Sequence, residues 1–377
     1  MIYYLGHYSC EQIASEYRRV APPAKNKMGY ILSVLSKVSK NHITVVSPCE
    51  TELRRYVKGG THNLTDNMIL KTFGSFRGRN RLLRGVGYLW VNLQAFLYLL
   101  GRVKSNDTVI VYHSLSLMKM VKVVRWIKKF SLIIEVEELY SDVKEDAALR
   151  KKELEYLQIA DKYIMITELL NKEVNLRSKP RIISHGTYQV VPNHGRKFKD
   201  GKIHVVYAGS FNPIKGGAFS AIEAAEFLDE DFVLHILGKG TDADTTNIIE
   251  KIRQVSSKTK CQIVYDGYKT GMDFDSFIQS CHIGLSTQQP DGKYNASSFP
   301  SKILMYMSNG LHVVSVRIPA VESSVVGDIL YYYNCSSALE IAQAIKSVSL
   351  ENEAGIIRRL NDLNQEFENS LSALLKI

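Results

Sequence analysis

The 377-residue sequence lacks the patterns that most metal, disulfide and nucleophile chemistry requires. Its five cysteines are scattered without a CxxC pair, which argues against a disulfide framework or a zinc cluster and favours reduced thiols in the cytosol. HExxH, GxSxG, GxGxxG and GxxxxGK(S/T) are absent, and no DxD pair stands at a convincing place for a divalent metal. These absences exclude the common zinc-hydrolase, serine-hydrolase and Walker-type sites, and we expect no metal.

The sequence also has no apolar run long enough to cross a bilayer. Its most apolar stretch, residues 85–100, spans sixteen residues where about 20 are needed, and Asn92 and Gln94 interrupt it. A buried helix and a helix lying on a membrane surface both fit this stretch. Four arginines stand just before it: Arg77, Arg79, Arg81 and Arg84.

Acidic residues are the minority charge. The 48 lysines and arginines exceed the 38 aspartates and glutamates and give a net charge of +10, which favours polyanionic partners. No nucleic-acid partner is expected, because the aromatic and basic motifs of such proteins are missing. Residues 115–130 have the pattern of a basic amphipathic helix, which fits either anionic lipid or a solvated outer face. Lys119, Lys122, Arg125, Lys128 and Lys129 fall on one side of this helix, and Met120, Val123, Val124 and Ile127 fall on the other.

Short apolar β-rich runs alternate with helical patterns along the chain, and the alternation restarts after a polar, Pro- and Gly-bearing stretch. This order predicts an α/β protein with two Rossmann-like parallel-sheet domains and a cleft between them. We expect an N-terminal domain at 1–190, a linker at 191–202 and a second domain at 203–350. A C-terminal helix at 351–377 is expected to pack back towards the N-terminal domain.

Two lysine-bearing helix starts stand out in the second half. Residues 209–217, GSFNPIKGG, follow a strand and open a helix, so free backbone N–H groups and Lys215 could bind an anion. In FPSK, residues 299–302, Pro300 suits a first helical turn, so that Ser301 and Lys302 also stand at a helix start. Ordinary turns with solvated lysines explain each segment alone, whereas the two together predict a diphosphate site.

Polar residues follow two strands of the first half. Glu137 and Glu138 come after SLIIEV, and His113 closes the run DTVIVYH. Because ligands of doubly wound sheets bind beyond the carboxyl ends of the strands, these side chains are candidates to orient a sugar hydroxyl or to act as a base. Turn or cap carboxylates, and a satisfied strand-end histidine, are the alternatives.

The whole chain resembles a retaining GT-B glycosyltransferase of family four. VVYAGSFNPIKGG, LHILGKG and FPSKILMYMSNGLHVVS resemble that family's donor domain, and VIVYH, IIEVEELYSDV and IMITE resemble the acceptor domain of bacterial polysaccharide glycosyltransferases, which build capsule, O-antigen or exopolysaccharide. The resemblance implies a donor site at Gly209, Ser210, Lys215, Gly216, Gly238, Ser297, Ser301 and Lys302, and catalytic groups at Glu137, Glu138 and His113.

The resemblance further implies metal-independent, retaining transfer of a hexose from a UDP- or GDP-sugar, with no cofactor besides this donor substrate. The acceptor would be a growing, lipid-linked surface polysaccharide. We expect a cytoplasmic protein that contacts an anionic membrane surface on the inner face of the cell membrane. The sequence is also compatible with a homo-oligomer.

Two departures from the family keep alternatives in view. Ser210 replaces the arginine that commonly follows the loop glycine, and Ser297 and Met305 replace the two carboxylates of the Glu-x7-Glu motif. A GT-B-like sugar-nucleotide epimerase and a non-catalytic partner subunit are therefore the competing functions.

Overall fold

The computed structural model describes residues 1–144, 146–211, 216–288, 297–335, 337–351 and 353–376. Two compact units make up the chain. Unit 1 contains Met1–Ser184 with Glu366–Ile377, and unit 2 contains His185–Gln365. Residues 185–190, which the sequence analysis assigned to the N-terminal domain, thus group with unit 2.

Unit 1 is built on an eight-stranded sheet in the order β3-β4-β2-β1-β5-β6-β7-β8. β3 runs antiparallel to β4, and the other neighbouring pairs are parallel. The strands are β1 (Ile2–Leu5), β2 (Ile43–Ser47), β3 (Thr61–Thr65), β4 (Met68–Thr72), β5 (Thr108–Tyr112), β6 (Ser131–Val136), β7 (Lys162–Met165) and β8 (Arg181–Ile183). The β3–β4 hairpin and β8 were not predicted, because THNLT is polar and RII is short.

Helices connect these strands, and local sequence fixes where several of them begin. Pro22 opens the first helix, and the side chains of Asn80, Asp146 and Thr167 accept hydrogen bonds from backbone N–H groups at three other helix starts. The helices of this part are α1 (Pro22–Val38), α2 (Arg81–Arg102), α3 (Met118–Lys128), α4 (Tyr140–Lys144), α5 (Ala147–Leu157) and α6 (Glu168–Val174).

Unit 2 contains a parallel six-stranded sheet in the order β11-β10-β9-β12-β13-β14. Its strands are β9 (Ile203–Ala208), β10 (Phe232–Leu237), β11 (Gln262–Gly267), β12 (Ile283–Ser286), β13 (His312–Val316) and β14 (Tyr331–Tyr333). The chain order reverses between β9 and β12, so the carboxyl ends of these two strands mark the place where doubly wound sheets bind ligands.

The remaining helices follow the strands of unit 2. They are α7 (Gly217–Ala224), α8 (Asp242–Ser256), α9 (Gly271–Ser280), α10 (Ser301–Ser308), α11 (Pro319–Glu322), α12 (Ala338–Lys346) and α13 (Glu353–Lys376). In the end of α13 that groups with unit 1, Phe367 stacks on Tyr30 of α1 with ring centroids 5.4 Å apart.

The stretch expected to be a linker is part of unit 2. The side-chain amide of Gln279, on α9, donates to the carbonyl of Pro192 at 2.9 Å and accepts from the backbone of His194 at 2.7 Å. Lys197 donates to the carbonyl of Cys281 at 2.6 Å. Contacts with residues distant in the sequence thus hold parts of residues 191–202 against α9 and the residue that follows it.

Candidate functional site

The carboxyl ends of β9 and β10 meet at two glycines. The N–H of Gly209 donates to the carbonyl of Leu237 at 3.0 Å. Gly238 has a φ of +146°, and a β-carbon added there would lie 1.8 Å from the carbonyl oxygen of Gly209. Only glycine fits at Gly238, because any side chain would collide with the neighbouring backbone. The two loops therefore leave the sheet in direct contact.

Lys302 lies beside this glycine junction. A β-carbon added at Gly209 would come within 2.6 Å of Lys302 Cε and 2.8 Å of its Nζ. The same Nζ lies 5.3 Å from the ring centroid of Tyr207. Lys302 is in the first turn of α10, where the helix dipole adds to the charge of the ammonium group. The arrangement is suited to an anion that approaches the Lys302 ammonium group.

Tyr306 fixes α10 against the end of β9. Its buried hydroxyl accepts a hydrogen bond from the backbone N–H of Ala208 at 2.7 Å, and burial raises the pKa of this phenol. A β-carbon added at Gly284, on β12, would lie 2.2 Å from the Tyr306 ring. The position of Lys302 is thus set by a tyrosine one turn later in the same helix.

The start of α7 is tied to the end of β12. Gly216 precedes the helix with a φ of +65°, and the hydroxyl of Thr287 donates to the carbonyl of Gly217 at 2.6 Å. Lys215, predicted to bind the anion, lies outside the described residues. Tyr207 joins the two parts of the site, because added β-carbons at Gly209 and Gly217 would lie 3.2 Å and 2.9 Å from its hydroxyl.

The remaining predicted donor residues occupy the same end of the sheet. Ser210 and Ser301 are exposed, and Ser297 is buried. The sequence analysis did not single out Tyr207, because it stands inside the apolar run VVYAG. Burial raises the pKa of Tyr207 to about 12, so its hydroxyl keeps its proton at neutral pH and can donate to an anion.

In unit 1, Glu137 is paired with a buried lysine. Oε1 of Glu137 lies 3.6 Å from Nζ of Lys27, which belongs to α1. Lys27 also donates to the carbonyl and hydroxyl oxygens of Ser184, at 2.6 and 2.8 Å. Burial, opposed by Lys27, raises the pKa of Glu137. Glu138, the next residue, is half-buried.

His113 is held in a buried pair with Glu153 of α5. The two side chains are 2.7 Å apart, from His113 Nε2 to Glu153 Oε1, and both are almost fully buried. The N–H groups of Tyr140 and Ser141 also donate to Glu153. Burial raises the pKa of Glu153, but the hydrogen bonds from His113 and Ser141 outweigh it and leave the pKa lowered. His113 therefore lies at the end of its strand, as the sequence indicated, and its Nε2 atom is engaged by Glu153.

A second histidine, His7, follows β1 at the same edge of the sheet in unit 1. Its Nε2 is 3.0 Å from the hydroxyl of Ser116, which is itself 2.8 Å from the hydroxyl of Ser114. Burial lowers the pKa of His7, so that its ring is neutral at pH 7 and has one nitrogen that can accept a proton. The sequence analysis did not single out His7, although a histidine just after a short apolar strand is the same signal that marked His113.

Helices α2 and α3 expose unusually apolar faces. The buried side of α2 is lined by Gly87, Val91, Ala95 and Leu99, which are small for a core-facing stripe. The exposed apolar residues are Leu82, Leu83, Val86, Tyr88, Leu89, Trp90, Leu93 and Leu97 of α2 with Val123, Trp126 and Ile127 of α3. Val123 and Ile127 were predicted on the apolar side of α3, but they share its exposed side with Lys119 and Lys122.

In the described part of the chain, no helix is long and apolar enough to cross a membrane.

Comparison with known proteins identifies the architecture. No protein-family model and no curated protein sequence matches the chain. An E. coli structure described as trehalose-6-phosphate bound with UDP-2-fluoro glucose matches with a TM-score of 0.69 and 13% identity, over 100% of this chain and 99% of that one. An α,α-trehalose-phosphate synthase (UDP-forming) from Burkholderia xenovorans, in complex with glucose-6-phosphate, matches with a TM-score of 0.64 and 12% identity, over 99% of this chain and 97% of that one.

The chain has the GT-B fold. The prediction of two Rossmann-like parallel-sheet domains is therefore confirmed. In each unit, the residues singled out above lie where the strands of a GT-B sheet end: Gly209 and Gly238 after β9 and β10, and His113 and Glu137 after β5 and β6.

Proposed function

We propose that this protein is a retaining hexosyltransferase that uses a nucleotide-diphosphate sugar as donor and needs no metal. The observation that carries the proposal is the placement of the Lys302 ammonium beside the glycines at the ends of β9 and β10. Negative charge develops on the diphosphate as it departs. An ammonium group in the first turn of a helix is arranged to stabilise that charge.

The transfer step uses few protein groups. The acceptor hydroxyl oxygen bonds to the anomeric carbon of the sugar on the face from which the diphosphate leaves. The bond between that carbon and the phosphate oxygen breaks, and the hydroxyl proton passes to the departing phosphate. In this scheme unit 2 holds the diphosphate, and Glu137 or Glu138 of unit 1 orients a sugar hydroxyl.

The fold neighbours support this class of reaction. One matched structure is described by a study of enzymatic glycosyltransfer with retention in trehalose-6-phosphate synthase, at a TM-score of 0.65 and 12% identity. Within the class, we assign the chain to family four on its sequence motifs, with a UDP- or GDP-sugar as donor. The departures at Ser297 and Met305 mean that groups other than the usual two carboxylates bind the donor ribose and sugar.

The acceptor we propose is a lipid-linked saccharide of a growing surface polysaccharide. The exposed apolar residues of α2 and α3 form, with neighbouring basic residues, what we call the apolar–basic surface. Neither helix contains an acidic residue. A bilayer with anionic headgroups fits both properties, since apolar side chains enter the acyl boundary and cations bind the headgroups. The basic members are Arg79, Arg81, Arg84, Lys119 and Lys122, all exposed.

A panel of nucleotide sugars, each incubated with and without lipid-linked saccharides, tests the proposed activity. Acceptor-dependent release of nucleotide diphosphate with sugar transfer is the expected result. Glucose 6-phosphate belongs in the acceptor set, because a matched structure contains it. An isomerised donor would instead establish an epimerase, and donor binding without turnover would establish a partner subunit. Lys302→Met should weaken donor binding by at least about tenfold, whereas Lys346→Met, on α12, is the matched control and should leave it unchanged.

A further inference from the structure

Lys27 is a charged side chain enclosed within unit 1. It belongs to α1 and is only 5% exposed. Removing an ammonium group from water is costly unless partners replace the lost hydration. The cost of burying Lys27 therefore has to be offset by what its Nζ contacts.

The contacts of Lys27 join two strand ends. Nζ donates two hydrogen bonds to Ser184, which directly follows β8 and is itself fully buried. Its ion-pair partner is Glu137, which directly follows β6. The 3.6 Å separation is longer than a normal hydrogen bond, so the link to Glu137 is mainly electrostatic. The hydrogen bonds to Ser184 hold the ammonium group in place.

The two partners of the pair differ in exposure. The side chain of Lys27 is 6% exposed, whereas that of Glu137 is 20% exposed. Oε1 of Glu137 is buried and accepts no hydrogen bond from the described residues. The Glu137 side chain is therefore partly exposed, while its Oε1 lies in the interior and faces the ammonium group.

Glu135 controls the net charge of this cluster. It precedes Glu137 by two residues on β6, so that both side chains point to the same face of the sheet. Glu135 is fully buried and receives a hydrogen bond from the hydroxyl of Tyr4 at 2.5 Å. Burial, and then the charge of Glu137, raise its pKa to about 8. Because the pKa values of both carboxyl groups are raised, the Glu135–Glu137 pair retains a proton at neutral pH and faces one cation, Lys27.

We propose that Lys27 is a positioning residue, which keeps Glu137 charged and directs its carboxylate outward from the strand end to orient a sugar hydroxyl. This role rests on the proposed glycosyltransferase function. The titratable groups that act on Glu137 or feel its charge are Lys27, Glu135, Glu138, Tyr4, Tyr112 and Tyr140. Lys27 is the cation among them.

Lys27→Gln tests the charge separately from the packing, because glutamine still donates a hydrogen bond to Ser184. Transfer should fall by about 10- to 100-fold in kcat. The KM for the donor should be unchanged. The acid limb of the pH–rate profile should move to higher pH, since Glu137 without its cation binds a proton more readily. Lys27→Arg, which keeps the charge, should restore part of the rate. Unchanged kcat and pH profile in Lys27→Gln would overturn the proposal.

A double-mutant cycle and a direct titration add readouts that a structural role would not change. In the Glu137→Gln background, Lys27→Gln should have no further effect on kcat, and fully additive losses would contradict the proposal. The carboxyl ¹³C signal of Glu137, assigned by comparison with Glu137→Gln, should titrate at higher pH in Lys27→Gln than in the unmodified protein. This titration requires no turnover. If no donor is used, the proposed function fails, while an unmoved titration would overturn the role of Lys27 alone.

Discussion

Lys302 and Gly209 are in van der Waals contact range only because Gly209 has no side chain. An added β-carbon would lie 2.6 Å from Cε and 2.8 Å from Nζ of the lysine. The glycine thus creates the space that the ammonium group occupies. We therefore expect these two residues, which are far apart in the chain, to contribute to one anion site.

Gly209→Ala should therefore displace Lys302 and weaken binding of a nucleotide diphosphate by at least about tenfold, or about 1.4 kcal/mol. Calorimetric titration with the nucleotide diphosphate measures the loss. The control is the same substitution in Lys302→Met, where alanine has no ammonium group to displace. Equal losses from Gly209→Ala in both backgrounds would show that the glycine acts independently of Lys302.

Tyr306→Phe should destabilise unit 2 by about 1–3 kcal/mol, because the buried N–H of Ala208 loses its acceptor. Urea unfolding followed by circular dichroism gives the change in the free energy of unfolding. Tyr331→Phe is the matched control, since the Tyr331 hydroxyl makes only exposed hydrogen bonds. Donor affinity should fall as well, because Tyr306 fixes the helix that carries Lys302. Unchanged stability and affinity would contradict this role.

Much of the fold was predictable from local sequence. The starts of α7 and α10 follow from the glycines after VVYA and from Pro300, which are signals within a few residues. Lys302 lies in the first turn of α10 as expected, whereas Lys215 lies outside the described residues, and their binding of a diphosphate stays a prediction. Lys27 gave no such signal. Its partner Ser184 lies 157 residues later, and its burial depends on a long-range contact. Inside the amphipathic pattern of α1, a lysine is normally solvated, and no local rule indicates that this one is enclosed.

Electrostatic coupling between distant segments could not be predicted from the local sequence either. Glu135 stands inside an apolar strand, where periodicity predicts a core residue, and its pKa is raised by burial and by the charge of Glu137. The sequence analysis assigned residues of α3 to the wrong sides of the helix for a related reason. An apolar pattern shows which residues could be buried, but the neighbouring elements determine which of them are covered, and Val123 and Ile127 are not.

His282 should make unit 2 less stable in acid. Its Nδ1 accepts a hydrogen bond from the backbone N–H of His204 at 3.0 Å, and protonation at Nδ1 would break this bond. Burial, with smaller effects of Lys197 and His204, lowers the pKa of His282 to about 4 from a usual value of 6.5. Between these values the unfolded state binds the proton and the folded state does not. Stability should therefore fall as pH drops from 6.5 to 4, by at most about 3 kcal/mol.

Urea unfolding of His282→Asn across this pH range tests that expectation. Asparagine offers an acceptor oxygen near the place of Nδ1 but does not titrate, so the slope of the free energy of unfolding against pH should become shallower. His42→Asn, at an exposed position of unit 1, is the control and should leave the slope unchanged. An equal slope in the unmodified protein and in His282→Asn would contradict the prediction.

At least one of Glu137→Gln and Glu138→Gln should lower the rate of transfer by about 10²–10⁴-fold, the usual effect of removing a positioning or acid–base group. Affinity for the nucleotide diphosphate should change little, because unit 2 binds it. His113→Ala should also lower transfer, but it leaves Glu153 buried without one of its donors and so should destabilise unit 1. Steady-state kinetics corrected for the folded fraction separates these effects. Near-normal transfer in all three variants would assign the residues to structure.

The apolar–basic surface should bind vesicles that contain anionic lipid, and binding should weaken with salt, because the screening length falls to about 8 Å at physiological ionic strength. Co-sedimentation with phosphatidylglycerol vesicles at low and high salt measures this, with neutral vesicles for comparison.

Leu89→Ser with Trp126→Ser should lower binding to these vesicles at both salt concentrations, since these exposed side chains supply the apolar contribution. Arg81→Gln with Arg84→Gln should instead reduce the salt dependence, by removing charges worth about 1 kcal/mol each near an anionic surface. Leu339→Ser, an exposed position of unit 2, should have no effect. If the unmodified protein does not sediment with anionic vesicles at low salt, the surface binds something other than a bilayer.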